Sequence, residues 1–256
     1  MSMVTYSCSG AIGTIEMSSS PANSYAMAFM REMNDAIQAA IDDSACKVVI
    51  VRSGLPGFFC GGADIKQFKA NSAAVNSEMI AVAHETLNKP SQSEKIFIAE
   101  IGGHALGGGL EIALACDMRF AAKGEYRIGL PEVSLGLLPG NGGTQRLTFL
   151  VGISKAIELM VAGERLLPAE AHRLGIVNRL LEPAELQEQT RAFAELLSQG
   201  ATLAIGKIKR SVYDGQAIEA GLAHERRNIG VLFASDDARE GFSAFVERRK
   251  AKFSGK

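Results

Sequence analysis

The chain has no pair of cysteines placed to work together. Cys8, Cys46, Cys60 and Cys116 are far apart and form no C-x-x-C. Free thiols in a reducing compartment are therefore expected. An excess of charge is also missing: 27 basic and 28 acidic residues leave a net charge of −1. No overall field then favours nucleic acid, an acidic polymer or a membrane surface. No run approaches the ~20 apolar residues of a spanning helix, and no basic segment followed by an apolar stretch opens the chain. A soluble, cytoplasmic protein is expected, with neither nucleic acid nor membrane among its partners.

Signatures of several site classes are absent too. The histidines, His84, His104, His172 and His224, have no metal-ligand spacing and read as surface or satisfied core residues, so no metal site is expected. Gly107-Gly108-Gly109 is followed by Leu110-Glu111-Ile112, without the third glycine of a dinucleotide fingerprint. Between Gly200 and Gly206-Lys207 stand five residues, and Ile208 follows where a P-loop has Ser or Thr. Ser154 lies in Gly-Ile-Ser-Lys-Ala, which lacks the last glycine of a nucleophile elbow, and reads as a helix N-cap.

What is present is a chain of 256 residues, long enough to bury roughly 70–75% of its unfolded surface without disulfides or metal. Gly10 to Met17 alternates weakly, as a strand does. After the break at Pro21, Ser24 is a candidate N-cap, and Met30, Met33, Ile37 and Ile41 follow at helical spacing through Asp42. Lys47 to Val51 is a β-branched run that reads as a buried strand. Phe58 to Lys66 is a glycine-dense turn entering a helical pattern. Lys69 to Lys95, rich in Ser, Asn and Ala, has one weak helical face at Ile80, Ala83, His84 and Leu87, and is expected to be mobile, a candidate lid.

Strand, glycine-rich turn and helix then recur. Ile96 to Ile101 feeds the triple glycine, and Leu110 to Cys116 reads as a helix. Tyr126 to Leu130 leads through Pro131-Glu132 and Pro139 to Thr144 into a helical pattern from Gln145 to Leu150. This is repetition of structural grammar without repetition of sequence. Beyond Ser154 the chain turns helical: Ser154–Val161, Pro168–Leu174, Ala184–Ser198, Leu203–Tyr213, Ile218–Phe233 and Asp237–Phe253. Pro168 and Gly175 suit a helix start and stop. Strands lie mainly before position 182, which divides the chain into an α/β core, 1–198, and a helical region, 199–256.

Two backbone-exposing turns, around Ala63 and Gly108, and two glutamates beside such turns, Glu111 and Glu132, survive as a constellation. Neither glutamate is a nucleophile by type. Amide donors with two carboxylates suit proton transfer beside a carbonyl, the donors stabilising an enolate oxygen while the carboxylates move protons or orient water.

Phe59-Cys60-Gly61-Gly62-Ala63-Asp64-Ile65-Lys66 and Gly103-His104-Ala105-Leu106-Gly107-Gly108-Gly109-Leu110-Glu111 resemble the two oxyanion turns of the crotonase, or enoyl-CoA hydratase/isomerase, superfamily. Gly129-Leu130-Pro131-Glu132 with Gly136 to Leu147 resembles its hydratase signature. Ala169 to Val177 and Ala244 to Lys250 agree as well, so the resemblance covers nearly the whole chain.

It implies a crotonase-type spiral of repeated ββα units with a helical C-terminal trimerisation region, in a homotrimer or a hexamer built as a dimer of trimers. It implies enoyl-CoA hydratase activity, or alternatively an isomerase or other enolate chemistry on an unusual acyl-CoA. The Ala63 and Gly108 N–H groups would form the oxyanion hole. Glu111 would hold and activate water, and Glu132 would protonate Cα on the same face. Gly62, Asp64, Ile65, Gly107, Leu130, Pro131 and Gly140 would bind substrate. No cofactor is implied, coenzyme A being part of the substrate.

Two features stand apart. Arg239 to Lys256 holds six basic residues against Glu240 and Glu247, a net +4; this is a solvated helix face or a contact for CoA phosphates. Glu100 interrupts the apolar Ile96 to Ile101 run and is expected to face solvent or pair with a basic residue, with a role at the site as the alternative.

Overall fold

In chain order the elements are β1 (Val4–Ser9), β2 (Ile12–Met17), α1 (Met27–Asp42), β3 (Val48–Ser53), β4 (Phe58–Cys60), α2 (Ile65–Ala70), α3 (Ala73–Gln92), β5 (Ile96–Ile101) and β6 (His104–Leu106). They continue with α4 (Gly108–Ala115), β7 (Met118–Ala122), β8 (Ile128–Gly129), a 3-10 turn (Glu132–Leu135), α5 (Gly143–Val151), α6 (Ile153–Ala162) and β9 (Arg165–Leu166). The last are α7 (Pro168–Arg173), β10 (Arg179–Leu181), α8 (Leu186–Ser198), α9 (Thr202–Asp214), α10 (Ile218–Phe233) and α11 (Asp236–Glu247). This computed structural model describes residues 2–214 and 218–253; the side chains of 218–221 and His224, and Lys256 of the basic tail, lie outside the described residues.

The β-branched run at Val48 forms β3, whose first four residues are all buried, as are all six of β5. Burial on both faces is the signature of a parallel strand, and β2, β3, β5, β7 and β10 are indeed parallel in a six-stranded sheet that the hairpin partner β1 extends at one edge. The side chains of Val49, Val51, Phe97, Ala99 and Ile101 enter the main core with α1, α3 and α4. Those of Val48, Ile50, Ile96 and Ile98 face the other way, against Leu186 and Ala194 of α8.

A second sheet, β4-β6-β8-β9, receives the chain after β3, β5 and β7 of the first. The successions β3-β4-α2, β5-β6-α4 and β7-β8-α5 repeat one ββα course, and β4, β6 and β8 run parallel side by side. The glycine-rich turns that follow β4 and β6 are thereby brought to the same edge. Tertiary stacking, rather than any local signal, makes one site of turns over 40 positions apart in sequence.

Several expectations change. The segment expected to be a mobile lid is α3, a 20-residue helix capped by the Ser72 hydroxyl, with Met79, Ile80, Ala83, His84 and Leu87 buried. Its polar composition hid a helix that packing against α1 and α10 supports. Ser24 does not cap α1, since Ala26 takes the N-cap position without a side-chain bond. Ser154 lies inside α6, which begins at Ile153 behind Gly152. α11 ends at Glu247, short of Phe253, because Arg248 turns the chain at φ 55°. The cysteines are free thiols. No helix among the described residues is long and apolar enough to cross a membrane.

Glu100 is buried, in register with Arg52 of β3. It shares its strand face with Ile96 and Ile98, beneath Thr190 of α8, and so points away from the glycine turns. Burial raises its pKa while the Arg52 charge and the Thr190 hydroxyl oppose the rise. The solvent expectation fails, and Arg52 acts on Glu100 only through its charge, its guanidinium being paired with Glu16 at 2.8 Å.

Candidate active site

Each glycine turn positions one N–H by the same local device. Gly62 (φ +92°) and Gly107 (φ +55°) hold backbone conformations that L side chains rarely adopt, and each directly precedes a candidate donor, Ala63 or Gly108. Asp64 then caps α2, its carboxylate accepting the Lys66 N–H at 3.0 Å and the Gln67 N–H at 3.2 Å. Gly108 opens α4, where the helix leaves its first N–H groups unpaired. Among the described residues neither the Ala63 nor the Gly108 N–H is taken up by a hydrogen bond. The turns are in contact: a Cβ built on Gly62 would lie 3.5 Å from the Gly108 nitrogen.

Both N–H groups border a cavity of about 450 Å³. Gly62, Asp64, Ile65, Gly107, Glu111, Pro131, Glu132 and Gly140 line it as well, with Tyr25, Phe68, Ile80 and Asn141. Leu130 does not: it is buried behind the site, against Gly143 and a small void between Leu110 and Leu159. Arg165 and Phe245 stand on the lining far along the sequence from the glycine turns.

The two carboxylates differ in surroundings. Glu111 Oε1 accepts the N–H groups of Asn141 and Gly143, each at 2.7 Å. These bonds favour the charged form, yet burial and the nearby Glu132 and Glu225 charges carry its pKa well above the carboxylate range. Glu132 lies over Gly107, where a Cβ would meet its Oε1 at 3.0 Å. Its Oε2 is buried without a hydrogen-bond partner among the described residues. Burial above all, opposed by its own backbone N–H and reinforced by Glu225, pushes Glu132 up to about 8. Both carboxyls thus hold a proton more tightly than an exposed carboxylate does, and only on Glu111 do two amide donors from the neighbouring turn oppose the rise.

Behind the lining lies a support that sequence reasoning missed. Glu225 Oε1 accepts the Gly142 N–H at 2.5 Å and stands 2.9 Å from His84 Nε2, while its other oxygen accepts the Thr144 hydroxyl. His84 Nε2 also lies 2.7 Å from the Gly140 carbonyl, and Arg226 reaches its Nδ1 at 2.9 Å. His84 is therefore the satisfied core histidine expected. Arg146, also buried, donates to the Asn141 carbonyl at 2.9 Å and the Leu87 carbonyl at 3.0 Å, placing a positive charge behind the acidic pair. Asn141 and Arg146 stood within a motif already singled out. Glu225 sits in a helix with no local signature of a site, and Tyr25 stood unremarked beside Ser24.

Known proteins resemble this chain in sequence and in fold. Residues 7–256 match the family model described as enoyl-CoA hydratase/isomerase. The chain is 37% identical over 227 residues to a crotonyl-CoA hydratase of Syntrophomonas wolfei, covering 88% of this chain and 87% of that one. It is 34% identical over 223 residues to a short-chain-enoyl-CoA hydratase of Clostridium acetobutylicum, covering 86% and 85%. The crystal structure of an enoyl-CoA hydratase from Mycobacterium avium subsp. paratuberculosis superposes with a TM-score of 0.89 at 25% identity, covering 98% of each chain.

Proposed function

The chain belongs to the enoyl-CoA hydratase/isomerase family, and from that premise we propose that it is an enoyl-CoA hydratase, adding water reversibly to a 2-trans-enoyl-CoA to give the 3-hydroxyacyl-CoA. One observation carries the reading: a buried carboxylate, Glu111, a half-buried one, Glu132, and two backbone N–H groups without partners among the described residues border the same cavity.

In the proposed reaction the thioester oxygen accepts the Ala63 and Gly108 N–H groups. Negative charge that develops on this oxygen as water attacks Cβ is met by donors already in place. The reactive state carries one proton on the coupled pair: Glu111, ionised against its raised pKa with the Asn141 and Gly143 N–H groups on one oxygen, orients the water and receives its proton. Glu132, protonated up to about pH 8, delivers a proton to Cα from the same side, giving syn addition. Water becomes the hydroxyl at Cβ, its proton rests on Glu111, and the proton at Cα comes from Glu132. No redox or metal step is needed, and the only coenzyme invoked is the CoA of the substrate.

A short acyl group is the first candidate, supported by the names of the two relatives and by the bulk of Phe68 and Phe233 at the cavity wall. A homotrimer or hexamer is part of the same proposal. Its support is the exposed apolar side chains of Phe149, Leu150, Ile153, Ile157 and Val161 on α5 and α6.

The test is loss of the enoyl-thioester absorbance of crotonyl-CoA on mixing with the purified protein, with ¹⁸O from labelled water found at C3. Inactivity across short, medium, long and aromatic enoyl-CoAs would sink the reading. A shifted double bond without oxygen uptake would replace it by isomerisation.

A further inference from the structure

Tyr25 lies just ahead of α1, only 2% exposed, and three parts of the site meet on it. Its backbone pairs with the first glycine turn as an isolated parallel bridge opposite Ala63. There the Tyr25 N–H donates to the Gly62 carbonyl at 2.9 Å, and its carbonyl accepts the Asp64 N–H at 2.8 Å. Its ring tip lies over the second turn, where a Cβ on Gly108 would fall 1.8 Å from Oη and 2.5 Å from Cζ. Its hydroxyl accepts a short hydrogen bond from Asn141 Nδ2. Asn141 is also the residue whose own N–H holds Glu111.

We infer that Tyr25 is a positioning residue for the hydration reaction, setting the separation of the Ala63 and Gly108 N–H donors and registering the Glu111 cradle against them. The inference rests on the oxyanion-hole reading given above. Its physical basis is stiffness. A tyrosine has two side-chain torsions and a rigid ring, so a backbone fixed on one turn and a tip packed on the other define a distance. An aliphatic residue would leave the space above Gly108 unfilled and the Asn141 amide without its partner. Asn141 Oδ1 has no partner among the described residues, so the bond to Tyr25 is the only one restraining that amide group. A hole of this kind acts through prearranged geometry, and a misplacement of about 1 Å can cost on the order of a hundredfold in rate.

The two links can be cut separately in the full-length protein. Tyr25→Phe keeps the ring over Gly108 and removes the tie to Asn141. Its expected effect is about a tenfold loss of kcat, the value of one hydrogen bond, with KM within about twofold. Tyr25→Leu also removes the ring. Its kcat should fall by about a hundredfold.

A spectroscopic readout separates the hole from turnover. The C=O stretch of bound, carbonyl-labelled butyryl-CoA, a saturated thioester that cannot be hydrated, reports polarisation by the two donors. It should lie below its value in water for the wild type and for Tyr25→Phe, and return toward that value in Tyr25→Leu.

Wild-type kcat in Tyr25→Phe together with a wild-type stretch in Tyr25→Leu overturns the inference about Tyr25 alone. A wild-type protein that leaves the stretch at its value in water overturns the oxyanion-hole reading, and the role of Tyr25 with it. Thermal melts establish that each variant is folded. Should Tyr25→Leu not fold, a double-mutant cycle of Tyr25→Phe with Asn141→Ala decides: strongly coupled losses in kcat support the inference and additive losses overturn it.

Discussion

Glu111 and Glu225 hold alternate N–H groups of one turn. The N–H groups of Asn141 and Gly143 go to Glu111, that of Gly142 goes to Glu225, and the Thr144 hydroxyl joins the second set. A strip of backbone whose successive N–H groups are bonded to two different carboxylates cannot move without straining one set of bonds or the other. Glu111 is thus held in place by a residue more than a hundred positions away, on α10.

Glu225→Ala should therefore affect both stability and rate. The Gly142 N–H, the Thr144 hydroxyl and His84 would lose a buried acceptor, at a cost of at least ~2 kcal/mol. With the turn released, kcat should fall by about tenfold or more, as the donors on Glu111 drift. Glu225→Gln, which keeps an oxygen for Gly142, should lie between the wild type and Glu225→Ala. Urea unfolding and initial rates measure the two effects, and a fully active Glu225→Ala would refute the coupling.

Glu132→Gln removes the proposed proton donor, and its kcat should fall by about 10²–10⁴. Binding of a saturated acyl-CoA should survive, because the donors on Ala63 and Gly108 remain. Equilibrium titration alongside the rate assay separates these outcomes.

The pH dependence follows from the raised pKa of Glu132. For catalysis the protonated form is required, so kcat/KM for hydration should decline as pH rises through about 8. For stability, the folded state keeps the Glu132 proton up to about 8, while the unfolded chain releases it near 4.5. The contribution is fully present below 4.5 and is lost as pH rises toward 8. Glu132→Gln should hence melt higher than the wild type at alkaline pH, with the difference closing under acid. The same melting temperature difference at both ends of the range would contradict the assignment.

Gly109 is a tighter constraint than its neighbours suggest. A Cβ there would stand 2.1 Å from the Cys60 carbonyl oxygen, part of β4 and unable to rotate away. Gly109→Ala should destabilise the fold by roughly 1–3 kcal/mol or more and separate the two glycine turns. A calorimetric melt and the crotonyl-CoA assay would both register it.

Glu100→Gln provides the contrast. Because Glu100 faces α8 across the sheet from the cavity, kcat/KM should stay within about twofold of the wild type, equivalent to less than half a kcal/mol. A larger loss would place Glu100 in the chemistry after all.

Elements whose signal is local were legible in the chain. The expected strand Ile96 to Ile101 and helix Ile218 to Phe233 have those limits in the structure. Pro168 stands at the first turn of α7, as its fixed φ favours. Short strands were not legible: β6, β8 and β9 hold three, two and two residues, too few to show a period. α3 was obscured for another reason, since its buried face includes Asn76, His84, Thr86 and Ser91 beside its apolar residues. Pairing outside the helix, of His84 with Glu225 and of Asn76 with the Phe68 carbonyl, makes two of those polar positions tolerable.

By itself the sequence determined where the backbone can expose N–H groups, because glycine permits positive φ wherever it stands. It determined as well that Glu111 and Glu132 adjoin such turns. Only the tertiary structure decided that the turns at Ala63 and Gly108 meet, that Tyr25 spans them, and that Glu225 steadies the backbone holding Glu111. Those relationships depend on the stacking of ββα courses and on the packing of α10 across the site. Each joins residues far apart along the chain, and burial gives each carboxylate a proton affinity that its place in the sequence does not carry.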